Sequence, residues 1–149
     1  KSSNDLSIMS SLFCVGLFFV GWCLTRGANL QKHAFRKNPH IDTFEFIFFK
    51  VKQQTLGSKG NAKFILVSGW WGVSRHVNYA GEIIQAVALA LPGFLTTGSM
   101  IPFAYPLYYI LLFIPRQLDD DKICEEKYGE KTWGDYVSKV KYRIFPYLW

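Results

Sequence analysis

Residues 80–115 read AGEIIQAVALALPGFLTTGSMIPFAYPLYYILLFIP, and after Glu82 they carry no formal charge. At about 1.5 Å per helical residue, such a stretch is long enough to cross a hydrocarbon core of roughly 30 Å twice. Pro92-Gly93 and Thr96-Thr97-Gly98 place turn chemistry near its middle, so it predicts a tight helical hairpin. Pro102 and Pro106 fall in the second arm, where packed protein or a cavity must satisfy the backbone groups they disturb.

Upstream, residues 7–24 (SIMSSLFCVGLFFVGWCL) are also free of charge and predict a transmembrane helix. A cleaved signal peptide is the other reading of such a run. The length of this one, and RGANLQKHAFRK in place of a small-residue cleavage site, favour a span. The 149-residue chain opens at Lys1 without a methionine, so it reads as a piece of a larger protein. Half of its residues are hydrophobic and 17% are aromatic, beyond what a soluble domain of this size needs for its core.

The formal charge of +6 is segregated. One Lys precedes the first apolar run, nine Lys and Arg lie between Arg26 and Arg75, none lies in the hairpin, and seven follow from Arg116 onward. Basic loops face the cytoplasm, which predicts three crossings with a lumenal N-terminal end and a cytosolic C-terminus. Topology, together with a phosphorylated ligand, accounts for the basicity, and no direct nucleic-acid binding is expected. Cys14, Cys23 and Cys124 have no C-x-x-C partner, so neither a zinc site nor a disulfide framework is indicated. The expected fold is all-α: a multi-pass transmembrane bundle with a cytosolic amphipathic tail.

Between the first run and the hairpin, residues 25–79 form a cytosolic connection. Lys32 and Arg36 are four apart and share a face if the first helix continues past the membrane, and Asn38-Pro39 should end it. FEFIFF (residues 44–49) is too short to span; it either lies at the interface or packs on the bundle. LGSKGNAK (residues 56–63) reads as a mobile loop. Trp70 and Trp71 suit the headgroup level. Arg75, His76, Asn78 and Tyr79 then stand at the head of a charge-poor helix, a polar cluster richer than anchoring requires. In the tail, residues 116–149, Asp119 to Asp121 lie beside basic residues on a solvated helix whose Ile123, Tyr128, Trp133, Tyr136 and Val137 can pack on the membrane domain.

There is no Ser-His-Asp order, H-E-x-x-H, P-loop or G-x-G-x-x-G, so a soluble-type nucleotide fold is not indicated. What remains is a set of cations and aromatics at one membrane face: Lys32, Arg36, Arg75 and Lys127 with Trp71, Tyr79, Tyr128 and Tyr136. Cations hold phosphates and aromatic faces stack on rings, so this set suits an anionic, aromatic cofactor.

RGANLQKHAFRKNP, LVSGWWGVSRHVNYAGE, DDDKICEEKYG and YRIFPYLW resemble, in the same order, the C-terminal segments of the sterol reductases. That family includes the sterol C14-reductases, the lamin B receptor, the 7-dehydrocholesterol reductases and the fungal C24(28)-reductases. RGAN-x-QK and FRKNP look most like the C14-reductase and lamin B receptor branch. The resemblance implies NADPH-dependent reduction of a sterol double bond, at C14 for the branch it looks most like, by a multi-pass protein of the endoplasmic reticulum or inner nuclear membrane, with sterol and membrane lipid as partners. It also implies that this C-terminal part holds NADPH through Lys32 and Arg36, Leu66 and Trp71, and Asn78 and Tyr79. The tail would add Asp120, the run Cys124, Glu125, Glu126, Lys127 and Tyr128, and then Tyr136.

Three departures accompany the resemblance. The family's usual Asp after NY-x-G is Glu82 here, Pro115-Arg116 replaces a frequent His-Arg, and Asp119 stands where an Arg often precedes the tail aspartate. Glu82 is the candidate acid, or the group that orients one, because a carboxyl at the head of a membrane helix can hold its proton. Two other readings fit parts of the pattern: a lamin B receptor-like membrane anchor, and a prenylcysteine methyltransferase with an RH-x-x-Y-x-G-like element.

Overall fold

A computed structural model describes residues 5–40, 42–57 and 64–148 of the chain. The first helix, α1 (Ile8–Lys37), starts where the Ser7 hydroxyl accepts from the Ser10 amide at 3.1 Å. It runs without interruption far beyond the apolar stretch. Asn38 ends it, donating its amide to the Ala34 carbonyl at 2.9 Å, because the following proline disfavours a further helical residue. Arg36 and Lys37 in the last turn complement the negative end of the helix dipole.

FEFIFF forms a β-hairpin in place of a helix. Strand β1 (Thr43–Phe46) pairs antiparallel with β2 (Phe49–Lys52), with Thr43 opposite Lys52 and Phe46 opposite Phe49. Alternating aromatic and charged residues favour this period, and Ile47 takes a positive φ of 54° to close the two-residue turn. Phe46 packs on Trp22 of α1 at 6.2 Å and Phe49 on Trp70 at 5.6 Å, while Phe48 at the tip is 96% exposed. A second pair joins β3 (Thr55–Leu56) to β4 (Ile65–Leu66). The described chain is therefore mostly helical, with two small sheets in its connection that an all-α fold does not contain. Of the loop expected over 56–63, residues 58–63 lie outside the described residues.

A short helix α2 (Trp70–Val73) leads into α3 (Val77–Thr97). Pro92-Gly93 does not break α3; the turn comes at Gly98, in the left-handed region at φ 68°. Pro92 is tolerated inside α3, and the Thr96 hydroxyl donates to its carbonyl at 2.9 Å. After a 3₁₀ turn over Ile101–Phe103, α4 (Ala104–Tyr128) runs straight through Pro115 into the tail. Gly129, at φ 85°, separates it from α5 (Glu130–Lys139).

Two helices, Ile8–Lys37 and Val77–Thr97, are long and apolar enough to cross a membrane. Only 11% of the apolar window of α1 is buried, which sets it apart from the core helix of a soluble protein. The two pack most closely where small residues meet: a side-chain carbon on Gly21 would lie 2.7 Å from the Gly81 carbonyl oxygen. The Thr25 hydroxyl donates to the Asn78 carbonyl at 3.2 Å and the Gln85 amide to Thr25 at 3.3 Å. Glycine contact with interhelical polar bonds is how helices associate in lipid, where burial of apolar surface no longer drives them together.

Candidate functional site

The end of α1 beyond its apolar run, the 64–79 connection, the second half of α4 and α5 enclose a cavity of about 450 Å³. Lys32, Phe35, Arg36 and Pro39 line it from α1 and its end, and Phe64, Ile65, Leu66, Trp71, Arg75, His76, Asn78 and Tyr79 from the connection and the head of α3. Asp120, Ile123, Cys124, Lys127 and Tyr128 come from α4, and Trp133 and Tyr136 from α5.

Gln31, wholly buried, holds the Trp70-Trp71 turn against α1. Its amide nitrogen donates to the Ser68 carbonyl at 3.1 Å and its oxygen accepts from the Trp70 amide at 3.0 Å. Trp71 donates its ring N–H to the Ala28 carbonyl at 2.8 Å, which fixes the ring as a wall of the cavity. The Lys32 ammonium sits 4.2 Å from the centre of that ring, so a cation–π contact holds it at the same wall.

Across the cavity, Tyr79 is stacked between His76 at 5.0 Å and Phe113 at 4.2 Å. Its hydroxyl donates to Asp120 Oδ2 at 2.7 Å. Asp121, the next residue, faces three basic side chains: Arg75 and Arg143 approach its Oδ2 at 3.5 and 3.4 Å, and His76 Nε2 lies 3.5 Å from its Oδ1. Burial lowers the Arg75 pKa while Asp121 opposes the shift. Burial pushes the Tyr136 phenol well above its ordinary range, keeping it a neutral donor. It also raises the Cys124 thiol, partly countered by Lys32, so this cysteine is not poised as a nucleophile.

The structure brings together Lys32, Arg36, Leu66, Trp71, Asn78, Tyr79, Asp120, Cys124, Lys127, Tyr128 and Tyr136. Glu125 and Glu126 do not line the cavity: α4 stays helical, so its 120, 123–124 and 127–128 face turns inward and those two carboxylates are exposed on the other side. Glu82 does not line it either; it is partly buried on α3, one turn after Asn78. Phe35, Pro39, Phe64, Ile65, Ile123 and Trp133 line the cavity without having been expected there, and Arg75 and His76 of the polar cluster at the head of α3 line it as well. Phe35 and Ile123 could have been found by extending the helical faces of Lys32 and Lys127, while the pairing that brings Ile65 in has no local signature.

Among the cavity-lining residues, Asn78 Oδ1 and Arg75 Nε are buried without a hydrogen-bond partner. No group of three or more metal-ligating side chains occurs among the described residues. The cavity is therefore organised around cations, aromatic walls and unspent hydrogen-bonding groups.

Residues 4–149 match the model of the family described as ergosterol biosynthesis ERG4/ERG24. The chain is 42% identical over 146 residues to the Delta(14)-sterol reductase erg24 of Schizosaccharomyces pombe, covering 97% of this chain and 32% of that protein. It is 36% identical over 149 residues to the Delta(14)-sterol reductase of the bacterium Methylotuvimicrobium alcaliphilum, covering 99% of this chain and 32% of that one. The Delta(14)-sterol reductase LBR of Gallus gallus is 39% identical over 124 residues, 83% of this chain and 18% of the relative. The chain thus spans about a third of the length of the first two relatives. With a family match over nearly its whole length and identities near 40%, the chain belongs to the ERG4/ERG24 sterol reductase family.

Proposed function

We propose that this chain is the C-terminal, NADPH-holding part of a membrane-embedded sterol reductase that reduces the C14 double bond in sterol biosynthesis. The observation that carries the reading is the cavity itself, a cation-rimmed and aromatic-walled space at one end of two helices long and apolar enough to cross a membrane. Its size falls within the range of about 300–1,000 Å³ typical of cofactor sites.

The residues present fit NADPH. Lys32, Arg36 and Lys127 offer positive charge for its phosphates, and Trp71 and Tyr128 offer flat walls for its rings. Asn78 Oδ1, buried and without a partner, is placed to accept from a carboxamide N–H. Tyr79, whose proton goes to Asp120 and whose ring is held by two stacks, offers a fixed acceptor for a ribose hydroxyl. When bound, NADPH supplies a hydride. Reduction of an isolated double bond also needs a proton, and Glu82 is the proposed acid, or the group that orients one, on the same face of α3 as Asn78 and one turn further along.

This reading includes a third crossing by the first half of α4, a lumenal N-terminal end, a cytosolic C-terminus, and residence in the endoplasmic reticulum or inner nuclear membrane. Sterol profiling tests it: a C14-reductase-deficient strain carrying the full-length protein should lose its Δ14-unsaturated sterols, and Glu82→Gln should abolish that rescue. Persistence of those sterols with the wild-type protein present, or S-adenosylmethionine binding without NADPH binding, would overturn it. Rescue by Glu82→Gln equal to wild type would remove Glu82 from the mechanism alone.

A further inference from the structure

Arg75 and His76 line the cavity, where His76 stacks on Tyr79, but the backbone of both is fixed by residues 142 and 143. The Arg75 amide donates to the Tyr142 carbonyl at 3.0 Å and the His76 amide to the Arg143 carbonyl at 2.7 Å. The Arg143 side chain then reaches Asp121 Oδ2 at 3.4 Å, the oxygen that also faces Arg75 at 3.5 Å, while Asp121 Oδ1 faces His76 at 3.5 Å. Ile144 and Val140 on either side of this contact are buried, Ile144 against the Tyr79–Phe113 cluster and Val140 against Trp133 and Tyr136. The segment is thus pinned by apolar side chains, tied by two backbone bonds to residues 75 and 76, and joined to α4 by the Arg143–Asp121 contact.

Arg75 is only 6% exposed, so its charge needs a fixed anion, and Asp121 supplies one at 3.5 Å. A single carboxylate facing three basic groups has no unique geometry unless one of them is fixed from outside. Arg143, on a segment anchored by its own buried neighbours, supplies that constraint.

We infer that Arg143 is a positioning residue: by holding Asp121 it sets the orientation of Arg75 and His76 at the cavity, and the C-terminal segment is part of the site. The inference rests on the NADPH reading for its kinetic test and stands apart from it in a second test. In the full-length enzyme, Arg143→Ala should raise the KM for NADPH by about ten- to a hundredfold, the effect of losing one charge-assisted contact, with a smaller change in kcat. Arg143→Lys should restore most of the loss. The effects of Arg143→Ala and Arg75→Ala on KM should be far from additive, because the first acts through the second. A merely structural role predicts instead equal losses of activity and of folded protein, additive with Arg75→Ala and not restored by lysine, and that result overturns the proposal.

The second test uses no cofactor. Cys124 lines the same cavity one turn after Asp121, and its alkylation in detergent-solubilised full-length protein, followed by peptide mass spectrometry, should be several-fold faster in Arg143→Ala than in wild type or Arg143→Lys. If wild type fails to bind NADPH, the functional reading falls, and the labelling rates decide this one. Equal rates in all three proteins would overturn it.

Discussion

Two parts of this chain hold the same pair of helices together by different means. In the apolar region, α1 and α3 meet at Gly21 and Gly81, where backbone approaches backbone and the Thr25 and Gln85 side chains fill what space remains. Beyond the apolar run, α1 and the head of α3 line a common cavity, and Gln31, Lys32 and Trp71 tie α1 to the connection that precedes α3. The first arrangement excludes everything, including lipid; the second leaves a shaped space lined with charge. Shape fixes the helices and polar contacts fix the site, so damage to the two should look different.

The largest effect is expected where there is least room. Any side chain at Gly81 meets the Gly21 carbonyl at 2.6 Å and the Thr25 amide nitrogen at 2.7 Å, and backbone cannot move aside as a side-chain tip can. Gly81→Leu should cost more than the about 1–3 kcal/mol typical of overpacking. Thermal unfolding of the solubilised full-length protein should show loss of the folded state, and a melting temperature equal to wild type would refute close packing here.

A smaller, more selective effect is expected at the boundary between the two regions. Gln31→Ala removes both partners of the Ser68 carbonyl and Trp70 amide, leaving each buried group to cost about 1–3 kcal/mol. Because those groups set the Trp71 wall, cofactor affinity should fall along with stability. A change in stability with unaltered NADPH affinity would detach Trp71 from the cavity.

At the hairpin the effect should vanish. Lys50 and Glu45 form an ion pair with both side chains about two-thirds exposed, and pairs of this kind are screened by water and salt. Lys50→Ala should leave the melting temperature and NADPH affinity unchanged, and a clear shift in either would mean that this hairpin bears on the cavity.

The two regions were also unequally legible in the sequence. Uncharged length and the Asn38-Pro39 stop were enough to place α1, and the four-residue spacing of Lys32 and Arg36 put both on the cavity side of it. Of the two turn signals near the middle of the hairpin, Thr96-Thr97-Gly98 is the one used: Gly98 ends α3 in the left-handed region, while Pro92-Gly93 is absorbed inside the helix. FEFIFF revealed its apolar character but not its strand pairing, which depends on a positive φ at a β-branched residue. Glu125 and Glu126 were carried in as part of a contiguous run, although one side of a helix cannot face a cavity with five successive residues. The Asp121 cluster was invisible because it joins residues 75–76, 121 and 143, and nothing local announces contacts of that range.

The central claim is that the cavity holds NADPH, and equilibrium binding to the full-length protein tests it most directly. Wild type should bind NADPH, and Arg36→Ala should weaken it by roughly 1.5–3 kcal/mol, the worth of a charge-assisted hydrogen bond, or about ten- to a hundredfold. If Arg36 reads the 2′-phosphate, the preference over NADH narrows; if it contacts the pyrophosphate, both cofactors weaken alike. Equal affinity of wild type and Arg36→Ala for both cofactors would contradict the account.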